Sequence, residues 1–131
     1  MAASELLGGR VKLVGTTSHD DARGLLTAME FGPLGFHPVR AFVVEAPDGA
    51  VRGGHGHRQG RQLLLRLAGE IDIELRHGGE VEHLTLDRDR QAVLIAAPVW
   101  SRQRYRGQSP SLLVLSDTPF DPAAYLAEPI G

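Results

Sequence analysis

Sixteen glycines and eight prolines interrupt this 131-residue chain at close intervals, and the stretches between them read as short strands. Both residues supply the turn geometries that end strands, so breaks this frequent favour a barrel or sandwich over packed helices. The strand candidates are 9–14 (GRVKLV), 24–30 (GLLTAME), 39–46 (VRAFVVEA), 61–69 (RQLLLRLAG), 70–76 (EIDIELR), 80–87 (EVEHLTLD), 92–97 (AVLIAA) and 111–117 (SLLVLSD). In EIDIELRHGGEVEHLTL, Ile71, Ile73 and Leu75 alternate before a turn, and Val81, Leu84 and Leu86 follow it. The glycines of HGG tolerate positive φ, which predicts a hairpin, while the slip in alternation near His83 points to a bulge. AVLIAAP is apolar throughout, the pattern of a strand covered on both faces. Only 121–128 (DPAAYLAE) reads as a helix, with Asp121 as N-cap and Pro122 at the first helical position. No repeat or linker divides the chain, so a single all-β domain over 1–131 is expected, with this short helix near its C-terminal end.

Composition narrows the chemistry. The absence of cysteine removes disulfides, thiol catalysis and thiolate-bound metals. A formal net charge of −2 with no long basic block gives no reason to expect nucleic acid. No apolar run reaches membrane-spanning length and no cationic-then-apolar leader opens the chain, so a cytoplasmic protein without a membrane partner is expected.

The stretch 49–69, GAVRGGHGHRQGRQLLLRLAG, carries the chemistry. On an extended strand, residues i and i+2 project to one side about 7 Å apart, so His55 and His57 share a face. Gly53, Gly54 and Gly56 strip bulk from around them and leave room for a ligand. Two imidazoles so placed can ligate a metal, move protons at neutral pH or simply decorate a strand. Arg52 and Arg40 can hold an anionic group such as a phosphate through charge-assisted hydrogen bonds. His19, His37, His77 and His83 fall in turns or on polar faces and read as solvated surface.

The spacing Gly49, five residues, His55, one residue, His57, four residues, Gln62, six residues, Gly69 resembles the first signature motif of the cupin superfamily of small β-barrels. Metal-binding cupins place a glutamate where Gln62 stands, and a later histidine where PVWSRQ places Gln103. Neutral amides are poor donors to divalent transition metals, so neither metal nor cofactor is expected. Further segments resemble one subfamily, the sugar-nucleotide 3,4-ketoisomerases and WxcM-like proteins. They are DARGLLTAME, GFHPVRAFVV, the core signature with Gly56 in place of the usual alanine, LIAAPVWSRQRY and SLLVLSDTPFDPAAYL. The likeness runs from about Asp21 to Tyr125.

The resemblance implies an RmlC-like cupin jelly roll, usually a homodimer, that isomerises a dTDP-4-oxo-6-deoxyhexose to its 3-oxo form through an enediol. It makes His55 and His57 the acid/base pair. Arg52 and Arg40 would bind the diphosphate-sugar, with Gln62 and Gln103 lining the pocket and Trp100 serving as substrate wall or core. The chain also departs from this pattern. Phe42 and Val43 follow Arg40 where tyrosines are usual, and Ser101 stands where a histidine follows the tryptophan. Tyr105 offers a substitute hydroxyl, although its place at an expected turn would expose it. These departures keep two alternatives open: a cupin repurposed as isomerase, cyclase or dehydratase on another metabolite, or a non-catalytic sugar-nucleotide binder.

Overall fold

A computed structural model of the chain describes residues 4–129, so positions 1–3 and 130–131 of the expected domain lie outside the described residues. The strands in chain order are β1 (Glu5–Leu6), β2 (Val11–Val14), β3 (Thr17–Asp21), β4 (Gly24–Ala28), β5 (Arg40–Glu45) and β6 (Val51–His57). They continue with β7 (Arg61–His77), β8 (Glu80–Leu86), β9 (Ala92–Ala96), β10 (Trp100–Ser116) and β11 (Tyr125–Leu126). Among the described residues no helix is long and apolar enough to cross a membrane.

Two strands of 17 residues, β7 and β10, organise the rest. They pair antiparallel from Gln62↔Ser116 at one end to Arg76↔Trp100 at the other. Each changes its second neighbour halfway along. The first part of β7 pairs with β9 and the last part of β10 with β5; beyond the middle, β7 pairs with β8 and β10 with β6. One ladder therefore serves two half-sheets. One is β1-β2-β9-β7-β10-β5; the other is β8-β7-β10-β6-β11. Their inner faces supply one core, with Val11, Leu64, Val93 and Leu112 from the first half against Ile71, Ile73, Leu84 and Tyr105 from the second. This double-sheet, jelly-roll arrangement is the all-β fold anticipated from the turn spacing.

The corner sits at Gly69, where the sequence suggests two strands, 61–69 and 70–76, and the structure has one. Gly69 has φ +71°, and the register of β7 with β10 shifts between Arg106 and Ser111. A Cβ at Gly69 would lie 2.6 Å from the Arg106 carbonyl and 2.7 Å from Pro110 Cβ. Glycine lets the strand bend without breaking its hydrogen bonds. On the outward side of the ladder Arg106 pairs with Asp72 and Arg102 with Glu74. The Arg106 hydrogen bonds hold the Asp72 carboxyl below its usual range. Exposed pairs of this kind add little stability but oppose a register slip.

The hairpin at 77–79 forms as expected, with Gly78 and Gly79 at φ +60° and +78° between His77 and Glu80. The bulge expected near His83 is absent, since β7 and β8 keep register from Ile71↔Leu86 to His77↔Glu80. Val81 lies on the solvent side and Glu82 has the inward parity, which produced the apparent slip. β9 is covered on both faces: Val93 and Ile95 join the main core, and Leu94 packs with Phe36 and Leu63.

The helix expected over 121–128 is a single 3-10 turn, Pro122–Ala124. Asp121 does cap it, its carboxylate accepting from the Ala123 amide at 3.0 Å. The chain then returns to strand because Tyr125 pairs with His57 and Leu126 with Gly56, burying Leu126. β3 and β4 form a separate two-stranded sheet whose polar first strand had no apolar pattern to reveal it.

Substituting Gly69→Ala forces a side chain into the left-handed region and against backbone, and is expected to cost about 2 kcal/mol or more. A fall in the urea midpoint at unchanged slope checks it; an unchanged midpoint would refute the corner assignment.

Candidate active site

The space between the half-sheets is a cavity of about 100 Å³, which accommodates a ligand rather than a single water. Its two walls differ in character. The half-sheet carrying β6 contributes Arg52, His55, His57, Ser101, Gln103 and Tyr105; the opposite one contributes Phe42, Val44, Leu64, Leu112 and Val114, with Gln62 as its polar member.

Strand parity alone would put Arg52 and His55 on opposite faces, three residues apart. A bulge in β6 corrects this: Ser101 pairs with His55 and Arg102 with Gly53, leaving Gly54 as the extra residue. Gly53 takes φ +84° there, and a Cβ on it would lie 2.5 Å from the Gln103 side-chain oxygen. Arg52, His55 and His57 thus reach one cavity. Gly56, between the histidines, is pressed against the 98–100 segment, where an added Cβ would meet the Val99 carbonyl at 2.9 Å. Here the usual alanine has no room.

The imidazoles of His55 and His57 stand edge to face, centroids 5.6 Å apart at 80°. Both are half-buried, and burial lowers the pKa of each. For His55, hydrogen bonding to the Gly53 backbone opposes the shift. For His57, the charges of His55 and Arg40 deepen it. Both rings are therefore neutral at pH 7, the state in which imidazole takes up a proton. Gln62 Nε2 lies 3.4 Å from His57 Nε2, a long contact that orients the ring weakly.

Arg40 lies beside His57 on a second opening of the site, its guanidinium 4.7 Å from the Phe42 ring and 5.0 Å from the Phe120 ring. Gln103 lines the cavity and donates to Ser101 Oγ at 3.0 Å. Trp100 stands outside the cavity lining; it is buried, and its Nε1 donates to the Ala127 carbonyl at 3.2 Å. Of the two positions where tyrosines are usual, Phe42 lines the cavity and Val43 points outward at 54% exposure.

Tyr105, expected at an exposed turn, is 1% exposed because β10 continues through it, and it lines the cavity. Burial raises its pKa while the Arg52 charge opposes the rise, so the phenol stays protonated and can donate a hydrogen bond. Tyr125 is the residue that the sequence reading left out of the site. Its ring stacks on His55 at 4.7 Å and 12° and meets His57 edge-on at 4.8 Å and 77°. The strand pairing that places it lies hidden in a segment with helix-start signals. Among the described residues no third His, Asp or Glu joins the histidines to complete a metal-binding group. Two imidazoles beside two amides make a weak donor set for a divalent transition metal.

Comparison with known proteins finds relatives in sequence and in fold. The chain is 26% identical over 110 residues to the TDP-4-oxo-6-deoxy-alpha-D-glucose-3,4-oxoisomerase of Aneurinibacillus thermoaerophilus, covering 82% of this chain and 79% of that one. A mutant of the 3,4-ketoisomerase QdtA from Thermoanaerobacterium thermosaccharolyticum, with a histidine replaced by asparagine, has been solved in complex with TDP-4-keto-6-deoxyglucose. It superposes with TM-score 0.82 at 25% identity, covering 91% of this chain and 88% of that one. The WlaRB TDP-quinovose 3,4-ketoisomerase of Campylobacter jejuni gives TM-score 0.79 at 28% identity, over 90% and 92% of the two chains. The FdtA family model, described as WxcM-like, C-terminal, matches residues 10–129, and the chain belongs to that family.

Proposed function

We propose that this chain is a sugar-nucleotide 3,4-ketoisomerase that converts a TDP-4-oxo-6-deoxyhexose to its 3-oxo isomer in deoxysugar and deoxyaminosugar synthesis. The observation that carries the reading is the pair of neutral imidazoles, His55 and His57, facing one cavity with Arg52. The C4 carbonyl acidifies the neighbouring C3–H. One imidazole takes that proton while the C4 oxygen gains one, giving a C3=C4 enediol. Loss of the C3 hydroxyl proton and delivery of a proton to C4 then complete the 3-oxo sugar. Atoms and electrons balance without a metal, cofactor or external oxidant, and two adjacent acid/base groups suffice for both transfers. Arg52 and Arg40 hold the diphosphate, Gln62 and Gln103 accept or donate to sugar hydroxyls, and Tyr105 donates to the developing enediolate oxygen.

The apolar wall supports a second reading. Phe42, Val44, Leu64, Leu112 and Val114 offer no hydrogen bond on the side opposite the histidines. A cavity so lined suits a less hydroxylated substrate, on which the same pair would isomerise, cyclise or dehydrate.

The described residues would act as a single domain within a cytoplasmic homodimer. The β3–β4 hairpin supports the dimer: it forms its own sheet and exposes Leu25 and Leu26 at 43% and 57%. Light scattering should report twice the 14.2 kDa chain mass, and Leu26→Asp should shift the mass towards the monomer. A monomeric parent protein would refute this assembly.

Incubation with TDP-4-oxo-6-deoxyglucose, chelator and deuterium oxide should yield a 3-oxo isomer carrying deuterium at C4. His55→Asn and His57→Asn should each lower kcat by roughly 10²–10⁴-fold. A folded parent protein without turnover overturns the ketoisomerase assignment, and a different product would select the second reading.

The pH dependence follows from the lowered histidine pKa values. The basic forms persist below pH 6.5, so the acid limb of kcat/KM should fall below the ordinary histidine value, with apparent constants belonging to the pair. Below pH 6.5 the unfolded chain protonates first, so stability falls with pH down through the folded-state pKa values. An acid limb above 6.5 would show that these imidazoles are not the base.

A further inference from the structure

We propose that Tyr125 is a positioning residue that clamps the His55–His57 pair, fixing both ring planes and keeping water off one face of His55. This deepens the acid/base reading of the same site. The three rings form one right-angled set: Tyr125 lies parallel to His55 within 12°, and both stand nearly perpendicular to His57, at 77° and 80°. All three centroid separations, 4.7, 4.8 and 5.6 Å, fall in the favoured range for aromatic pairs.

The pair needs such a device. A catalytic histidine is commonly oriented by a carboxylate or backbone hydrogen bond. Here no carboxylate joins the two rings among the described residues; His55 has its hydrogen bond to the Gly53 backbone, and the polar side-chain contact to His57 is the long 3.4 Å approach of Gln62. Acid/base catalysis is sensitive to small errors in placement, so the ring contacts add the orientation that one backbone bond and one long contact leave incomplete.

The clamp is itself held from several directions. Tyr125 pairs with His57 in the β11–β6 register, and the Arg58 amide donates to the Ala124 carbonyl at 2.8 Å. Asp121 caps the preceding turn, buried Leu126 follows, and Trp100 Nε1 fastens the Ala127 carbonyl. This also gives Trp100 a task outside the cavity: it secures the segment that carries the clamp.

Titration of the imidazole NMR signals tests the proposal without any substrate. Arg40 from β5, Arg52 on β6, Arg61 from β7, Tyr105 from β10 and Asp121 beside the clamp face the same space and stay unchanged. Removing the ring in Tyr125→Ala lets water reach His55, so its titration should move up towards 6.5. kcat should fall on the order of 100-fold with a smaller change in KM. Tyr125→Phe keeps the ring and should restore both the titration and most of kcat. If Tyr125→Ala does not fold, Tyr125→Leu keeps apolar volume without a flat face and should show the same shift. An alanine or leucine variant titrating like the parent, or a phenylalanine variant as impaired as alanine, overturns the clamp. If the parent has no ketoisomerase activity, the titration still decides the clamp by itself.

Discussion

The pairing of β7 with β10 is the constraint on which everything else rests. A single ladder that changes partners at its midpoint forces two half-sheets to face one another, with no separate interface needed to join them. Core and cavity then become two levels of the same gap. Where both faces are apolar the gap closes as packed side chains; where β6 presents its glycines and imidazoles it stays open. The bend at Gly69 lies at the midpoint where the ladder passes from one half-sheet to the other.

Within that gap, burial tunes the histidines in the useful direction. A solvent-exposed imidazole near neutrality is partly protonated and thus partly unavailable as a base. Half-burial between the sheets disfavours the cation of both rings, and for His57 the charges of His55 and Arg40 do so as well. The same burial has the opposite consequence for Tyr105, whose phenol is kept neutral and available as a donor. One low-polarity environment thus favours the neutral form of both kinds of group.

Much of this was legible in the sequence, and the failures share a cause. Period-2 alternation marked Ile71, Ile73 and Leu75 as core, and His-x-His placed two imidazoles on one face because a strand permits nothing else. Misreadings arose where local signals competed with tertiary pairing. Asp121 and Pro122 begin a helical turn as their chemistry dictates, but strand pairing by Tyr125 stops it after three residues. Gly69 looked like a terminus and proved to be a bend. The sequence places Tyr105 at a turn, yet β10 runs through it and carries the tyrosine inward. The stacking of Tyr125 on His55 joins residues seventy positions apart, and periodicity holds no record of such a contact.

The division of the cavity between its two walls bears on how such a protein can change over time. The cavity's titratable side chains hang from one half-sheet, while the other offers an apolar lining with Gln62 as its polar member. Substitutions in the lining can reshape what is admitted without disturbing the imidazole geometry opposite. Phe42 and Val44, neighbours on β5, are positions of that sort. An architecture that seats its imidazoles on one support and most of its apolar lining on another lets selection alter the shape of the site while the ring pair keeps its own backbone.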